Sequence, residues 1–379
     1  MAKYLFVIDC LGSGGAQRQL ISIAKELHSK GDTVEFFIYY DHLMHFKPQL
    51  DELAIKVHLS HKHSRFSLSP IIALYRLLRR GRFQASLAFM QTPGIYLALA
   101  KFIGVVFQKP MPVTVFSERT TYEDSAQLAL SFKCTQQLFR LHDHIVANSY
   151  HQKKKMVVAF PWMKSKLHTI YNGLDRATFN PNLIETKNES YQMICVSRVV
   201  QYKNYENLAK ALVILKEQYQ QSVEVTWIGK IFEDQENQTV FAEVKALLAK
   251  AGLEDSLLFV GERSDIATFY QHADALIHPS LIEGFSNVVM EATRYSLPLL
   301  LGNIGDHKWL LDKYPAGDIF DVHNPQDIAN CIHRYLTKSE KQIQGYRDAS
   351  QKACESLFII SESASAYKVL MDGDRNSDA

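Results

Sequence analysis

The chain has 379 residues, 47% apolar and 22% charged. That is enough for two full cores, and it excludes disordered, fibrous and disulfide-stapled classes. The net charge of +2 hides a split: residues 1–180 hold 23 Lys and Arg against 12 Asp and Glu, and the rest hold 19 against 28. A basic half points to an anionic partner, such as a membrane surface, a phosphate-bearing acceptor or nucleic acid. The plainer alternative is an uneven surface with no partner.

The cysteines Cys10, Cys134, Cys195, Cys331 and Cys354 are scattered, odd in number and form no C-x-x-C pair. They read as free thiols in a reducing cytoplasm. Met1-Ala2-Lys3-Tyr4 runs straight into a strand pattern, so no secretory leader is expected. The most apolar stretch, Ile95 to Phe107, is interrupted by Lys101 and falls short of the roughly 20 residues a spanning helix needs. The protein is expected to be cytoplasmic, either free or peripheral on the inner face of the membrane.

In chain order, apolar runs alternate with helical spacings. Tyr4–Ile8 is a strand apolar at every position, and Gln17–Ser29 is an amphipathic helix closed by Gly31. A strand over Val34–Tyr40, a helix over Pro70–Arg80, a strand over Ala85–Met90 and a helix over Gly94–Gly104 follow. Then come a strand over Val113–Phe116, a long helix from about Glu123 to Leu141 and a strand over His144–Asn148. The segment from Phe179 to Tyr191, with Asn180-Pro181-Asn182, reads as a linker. The alternation restarts with strands over Tyr191–Val196, Val223–Ile228, Leu257–Val260, Ala275–His278 and Pro298–Leu301. Helices over Tyr205–Gln218, Asn237–Ala251 and Asp265–Gln271 separate them, and another starts near Ser286. The fold class is therefore α/β, with two Rossmann-like, doubly wound parallel-sheet domains. The expected boundaries are 1–182, 183–355 and a final helical segment 356–379. Ligands of such sheets bind at the carboxyl ends of the strands, which predicts a central cleft that both domains face. The tail from Asp372 reads as disordered.

Five segments carry chemistry. In His278-Pro279-Ser280-Leu281-Ile282-Glu283-Gly284-Phe285-Ser286-Asn287, a strand ends, a turn follows and a helix containing Glu291 begins. Glu283 and Glu291 suit sugar and ribose hydroxyls, because a carboxylate accepts two hydrogen bonds at once. The amides around Gly284, Phe285, Ser286 and Asn287 form an anion site, with Ser286 or Asn287 as helix cap. The plainer reading is a capped helix with two solvated acids. In Val196-Ser197-Arg198 to Lys203, two cations on one strand-end loop can clamp a diphosphate. Gly12-Ser13-Gly14-Gly15-Ala16-Gln17-Arg18 lets backbone approach a ligand, although Gln17 replaces the third glycine of a dinucleotide fingerprint. Ser117-Glu118-Arg119 ends another strand, and there a loop salt bridge is the plain alternative. Asn172-Gly173-Leu174-Asp175 is a tight turn.

Together these segments resemble the retaining glycosyltransferases of family 4, which have the GT-B fold, over nearly the whole chain. The resemblance implies that Glu283 touches the transferred sugar and Glu291 the ribose, as the two acids of an E-x7-E signature. It sets Arg198 and Lys203 on the donor diphosphate, with Ser197 where the family has Gly and a slightly short Arg-to-Lys spacing. Gly14 and Gly15 would border the donor phosphate. Arg18, Glu118, Arg119 and Asp175 are candidate sugar or acceptor contacts, because the family's usual His is replaced near Glu118. The implied function is transfer of a hexose or N-acetylhexosamine from a nucleotide sugar (a UDP- or GDP-sugar) to a glycan acceptor, lipid-linked or in surface polysaccharide. No metal, resident cofactor or nucleic acid is implied. His142-x-His144 and His61-x-His63 are read as surface and packing. Arg79, Arg80, Lys154 and Lys155 are candidates for an anionic membrane. An epimerase or phosphorylase on the same fold and a non-catalytic partner of a transferase remain the alternatives. An NAD-dependent oxidoreductase is disfavoured by Gln17.

Overall fold

The computed structural model describes residues 1–62, 64, 67–119, 130–175, 191–231 and 235–373. The expected linker, most of the first half of the Glu123–Leu141 helix, His63 and the tail beyond Gly373 lie outside them. The chain forms two compact units, Met1–Asp175 with Phe358–Ala379, and Arg176–Leu357. The expected boundary at 182/183 lies outside the described residues.

In the first unit, seven strands form one parallel sheet: β1 (Lys3–Val7), β2 (Thr33–Ile38), β3 (Lys56–Leu59), β4 (Ala85–Phe89), β5 (Val113–Glu118), β6 (His144–Ala147) and β7 (Leu167–Thr169). Their spatial order is β3-β2-β1-β4-β5-β6-β7. β1 is apolar and buried from Tyr4 to Val7 because both of its faces are covered. Tyr4 and Phe6 pack with the helices Gly15–Ser29 and Ile360–Asp372, whereas Leu5 and Val7 pack with the helices Ser69–Arg80 and Gln91–Val106.

In the second unit, six parallel strands are ordered β10-β9-β8-β11-β12-β13: β8 (Gln192–Val196), β9 (Glu224–Ile228), β10 (Leu257–Gly261), β11 (Ala275–His278), β12 (Leu299–Gly302) and β13 (Gly317–Phe320). Trp227 and Tyr335 are fully buried in its core with Tyr205, Ile277 and Leu300. Among the described residues, no helix is long and apolar enough to cross a membrane.

Three strands escape the sequence pattern: β3, β7 and β13. Each is a sheet edge. Edge strands are short and only half covered, so KVHL, LHT and GDIF mix polar with apolar side chains.

The expectation of a disordered tail is corrected at its first residue, Asp372, while residues 374–379 lie outside the described residues. Asp372 ends the helix Ile360–Asp372 and accepts hydrogen bonds from Tyr4 Oη and, at 2.7 Å, Gln84 Nε2. Lys368 of the same helix pairs with Asp32. The returning chain also docks by backbone: Leu174 N–H donates to Phe358 O at 2.7 Å, and Ile360 N–H to Leu174 O at 3.0 Å. Gly173 permits this approach, because a Cβ there would lie 2.5 Å from Ile360 Cα. Gln19 fixes the same turn with its amide group, donating to Gly173 O and accepting from Gly173 N–H, both at 3.0 Å. Gly173→Ala should therefore force backbone apart and lower the stability of the first unit by about 1–3 kcal/mol, read from denaturant unfolding.

Candidate functional site

Strand order fixes where a ligand belongs. In the second unit the order reverses between β8 and β11, which lie side by side. Loops leaving neighbouring strands in opposite directions open a crevice at their carboxyl ends. The loop after β8 carries Arg198 and Lys203, and the loop after β11 carries Glu283. The two loops are stitched together. Leu281 N–H donates to Tyr202 O at 2.9 Å, and the buried Asn204 amide donates to Pro279 O at 2.9 Å and Val322 O at 2.8 Å.

Lys203 Nζ donates to Glu283 Oε1, and both side chains are largely buried. His278, the last residue of β11, is fully buried and sets Nε2 3.3 Å from the same oxygen, off hydrogen-bond alignment. Burial alone would raise the Glu283 carboxyl, but His278 and then Lys203 outweigh it and hold the group well below the usual carboxylate range. Glu283 is thus an anion at neutral pH, with Oε1 engaged by the protein. Arg198, on the same loop as Lys203, is exposed and donates to Tyr202 Oη. The shorter Arg-to-Lys spacing still brings both cations to one loop, with Tyr202 as the shared ring at 6.0 and 5.3 Å.

The helix Asn287–Arg294 starts immediately beyond. Ser286 is its N-cap in extended conformation, but its side chain makes no capping bond. The sequence expectation of a Ser286 cap thus holds for backbone and fails for the hydroxyl. Glu291, one turn into the helix, accepts from the buried Tyr270 hydroxyl at 3.3 Å, and the Tyr270 ring stacks on Tyr295 at 5.1 Å.

Sequence reasoning missed a supporting layer after β12. Gly305 adopts φ +55°, and a Cβ there would lie 2.3 Å from Gly284 O, so only glycine fits against the turn. Asp306 N–H donates to Gly284 O at 3.3 Å. His307 is fully buried, donates Nδ1–H to Gly302 O at 3.0 Å and packs edge-on against His278 at 5.6 Å. The signal available was the Gly-Asp-His triplet directly after a strand.

In the first unit the order reverses between β1 and β4. Gly14 and Gly15 lie exposed in the turn after β1, with Gly14 as N-cap of the helix Gly15–Ser29 and Arg18 exposed in its first turn. Gln17, the residue that breaks the dinucleotide fingerprint, turns inward and donates to Asp9 Oδ1 at 3.1 Å. Glu118, at the end of β5, is buried and accepts the Arg119 N–H at 2.9 Å. Arg119 is committed to the fold: its guanidinium lies 3.7 Å above the Phe89 ring and donates to Asn172 Oδ1 and, at 2.9 Å, to Tyr367 Oη. Asp175 is exposed at the end of its segment. His142 is buried, donates Nε2–H to Gly94 O at 3.0 Å and stacks on Phe116, so it is a packing residue.

Comparison with known proteins adds the family. Residues 13–178 match the model described as Glycosyltransferase Family 4, and residues 178–352 the model described as Glycosyl transferases group 1. The chain belongs to this glycosyltransferase family. It is 24% identical over 185 residues to the capsular polysaccharide biosynthesis glycosyltransferase CapH of Staphylococcus aureus, covering 48% of this chain and 50% of that one. The chain spans about half the length of this and other curated relatives it matches. A fuller match, at 21% identity over 98% of this chain and 100% of the relative, is to the N-acetylgalactosamine-N,N'-diacetylbacillosaminyl-diphospho-undecaprenol 4-alpha-N-acetylgalactosaminyltransferase of Campylobacter jejuni. Among solved structures, Anabaena Alr3699/HepE in complex with UDP and glucose has a TM-score of 0.76 at 20% identity, covering 97% of this chain and 98% of that one. The two parallel-sheet units are those of the GT-B fold.

The site has an acid-sensitive side. A carboxylate whose folded pKa is depressed stabilises the fold above its unfolded value of about 4.3 and loses that contribution as pH falls below it. Burial also depresses His307, from 6.5 to about 4. The unfolded state then takes up its proton first, so stability falls as pH drops from 6.5 toward 4. Urea midpoints measured across this window should decline in the wild type and decline less in His307→Gln. Equal slopes would show that His307 does not carry the effect.

Proposed function

We propose that this protein transfers a hexose or N-acetylhexosamine from a nucleotide diphosphate sugar to a hydroxyl of a glycan acceptor, with retention at the anomeric carbon. The observation that carries this is the Lys203–Glu283 pair at the β8/β11 reversal, with Arg198 on the same loop as Lys203. Glu283 binds the transferred sugar through its second carboxylate oxygen, and Glu291 takes the ribose. Arg198, Lys203 and the amides that open the helix at Asn287 hold the diphosphate.

The bond from the anomeric carbon to the diphosphate oxygen breaks, and the acceptor oxygen forms its bond to the same carbon. The acceptor's proton passes to the departing diphosphate. The protein's part is to stabilise that leaving charge and the oxocarbenium-like state, with no metal and no resident cofactor. UDP is the favoured nucleotide, since the Anabaena protein is described with UDP and glucose. A lipid-diphosphate-linked acceptor is favoured by the Campylobacter relative's name. Such an acceptor would bring the enzyme to the inner face of a membrane.

Glu283→Gln and Arg198→Ala should each lower kcat/KM by about 100-fold or more in a UDP-sugar transfer assay, with the fold intact by circular dichroism. Full activity in both would sink the assignment. Nucleotide release that needs no acceptor would instead favour an epimerase or phosphorylase. Neutralising Arg79, Arg80, Lys154 and Lys155 together should reduce recovery on anionic vesicles, and unchanged recovery would remove the membrane from the proposal.

A further inference from the structure

The first unit holds a charged group that the donor chemistry does not use. Lys62 follows β3, and its ammonium lies 5.7 Å from the centroid of the Tyr39 ring, 5.5 Å from that of Tyr40 and 5.5 Å from that of Tyr96. Tyr39 and Tyr40 follow β2, and Tyr96 lies in the helix that follows β4. The backbone fixes the convergence: Lys62 N–H donates to Tyr39 O at 3.2 Å, and Tyr39 and Tyr40 N–H donate to Asp9 O at 3.1 and 2.9 Å. Three strand-end loops therefore meet at the carboxyl edge of the sheet, the edge where parallel sheets bind ligands.

Among the described residues, no carboxylate lies within ion-pair reach of Lys62, although fourteen such contacts occur elsewhere or on other groups as named pairs. The acids of the neighbouring loops serve other groups: Asp41 lies 3.3 Å from His61 Nδ1, and Asp9 Oδ1 accepts from Cys10 N–H and Gln17 Nε2. The Tyr39 hydroxyl is buried and has no hydrogen-bond partner among the described residues. A half-buried cation among tyrosines, without an acid, is an arrangement that an anion completes. Burial lowers the Lys62 pKa, but the Tyr96 and Tyr40 hydroxyls raise it further, so the group stays charged.

We propose that Lys62, with Tyr40 and Tyr96, is an anion subsite that binds a phosphoryl group of the acceptor. This rests on the transferase reading above, in which the acceptor is a phosphate-linked glycan. Two sources present that chemistry, a soluble phosphorylated glycan and a lipid-borne diphosphate. Tyrosine hydroxyls donate to phosphate oxygens while the ammonium pairs with the charge, and no bond is made or broken at this subsite.

The test is a titration of the full chain with inorganic pyrophosphate, followed by 31P line broadening. Lys62→Gln should weaken one class of pyrophosphate site by about tenfold and leave the donor class intact. Arg198→Ala should do the reverse. Lys62→Arg, which keeps the charge, should retain both classes. Unchanged binding in Lys62→Gln would overturn the inference. So would equal loss in Lys62→Arg and Lys62→Gln with a fallen Tm, since that marks a structural lysine. Tyr40→Phe offers a milder variant, with a smaller loss of the same class expected and no change counting against it. If Arg198→Ala alone changes nothing, the donor reading fails while this one stands. Phosphatidylcholine vesicles with and without a polyprenyl diphosphate separate the sources. Capture that requires the polyprenyl diphosphate and Lys62 assigns the lipid-borne group, and pyrophosphate binding without capture assigns the soluble one. Neither binding overturns the subsite.

Discussion

The side-by-side placement of β8 and β11 is the constraint on which the second unit's chemistry depends. All strands run parallel, so every strand-end loop emerges at one edge. Only at the reversal do two of those loops diverge enough to leave a crevice. The loop after β8 then supplies cations and the loop after β11 an acid, and the Asn204 and Tyr202 contacts hold them in register. Arg198, Lys203 and Glu283 lie up to 85 positions apart in the chain, yet one strand pairing brings them together.

Charge placement within that crevice is uneven. Glu283 is largely buried, which is costly for a carboxylate unless partners compensate. Lys203 and His278 supply that compensation, and Gly305 with Asp306 holds the turn from behind. Arg198 is exposed and held against Tyr202 instead. The result is a buried, compensated anion on one loop and an exposed cation on the other.

Much of this was legible in the sequence because central strands are buried on both faces and read as unbroken apolar runs. Tyr4–Ile8 and Ala275–His278 show this directly. Three of the four edges were not legible: KVHL of β3, LHT of β7 and GDIF of β13 carry too little apolar signal to stand out from loops, whereas the edge strand β10, LLFVG, does. Glu283 and Arg198 stand out in the sequence because their residue types sit at strand ends in a recognisable order. Gly305 and His307 do not, since Gly305 presses on Gly284, 21 positions earlier, and His307 on His278, 29 positions earlier, and no local pattern records those contacts. Arg119 was legible as a strand-end cation, but its partners Tyr367 and Asn172 come from distant segments, and they commit it to packing. Asp372 looked like part of a polar tail because Tyr4 and Gln84, which receive it, lie at the other end of the chain.

That return of residues 358–373 to the first unit bears on how the protein is made. The sheet of the first unit is synthesised before the second unit, whereas the helix Ile360–Asp372, whose Tyr367 ring packs 5.7 Å from that of Phe89, follows the second unit in the chain. The second unit can therefore fold before that helix docks, while the helix Gly15–Ser29 already covers part of the same sheet face. A chain truncated before Ile360 would leave the part around Phe89 and Ser117 uncovered, an apolar patch that quality control can recognise.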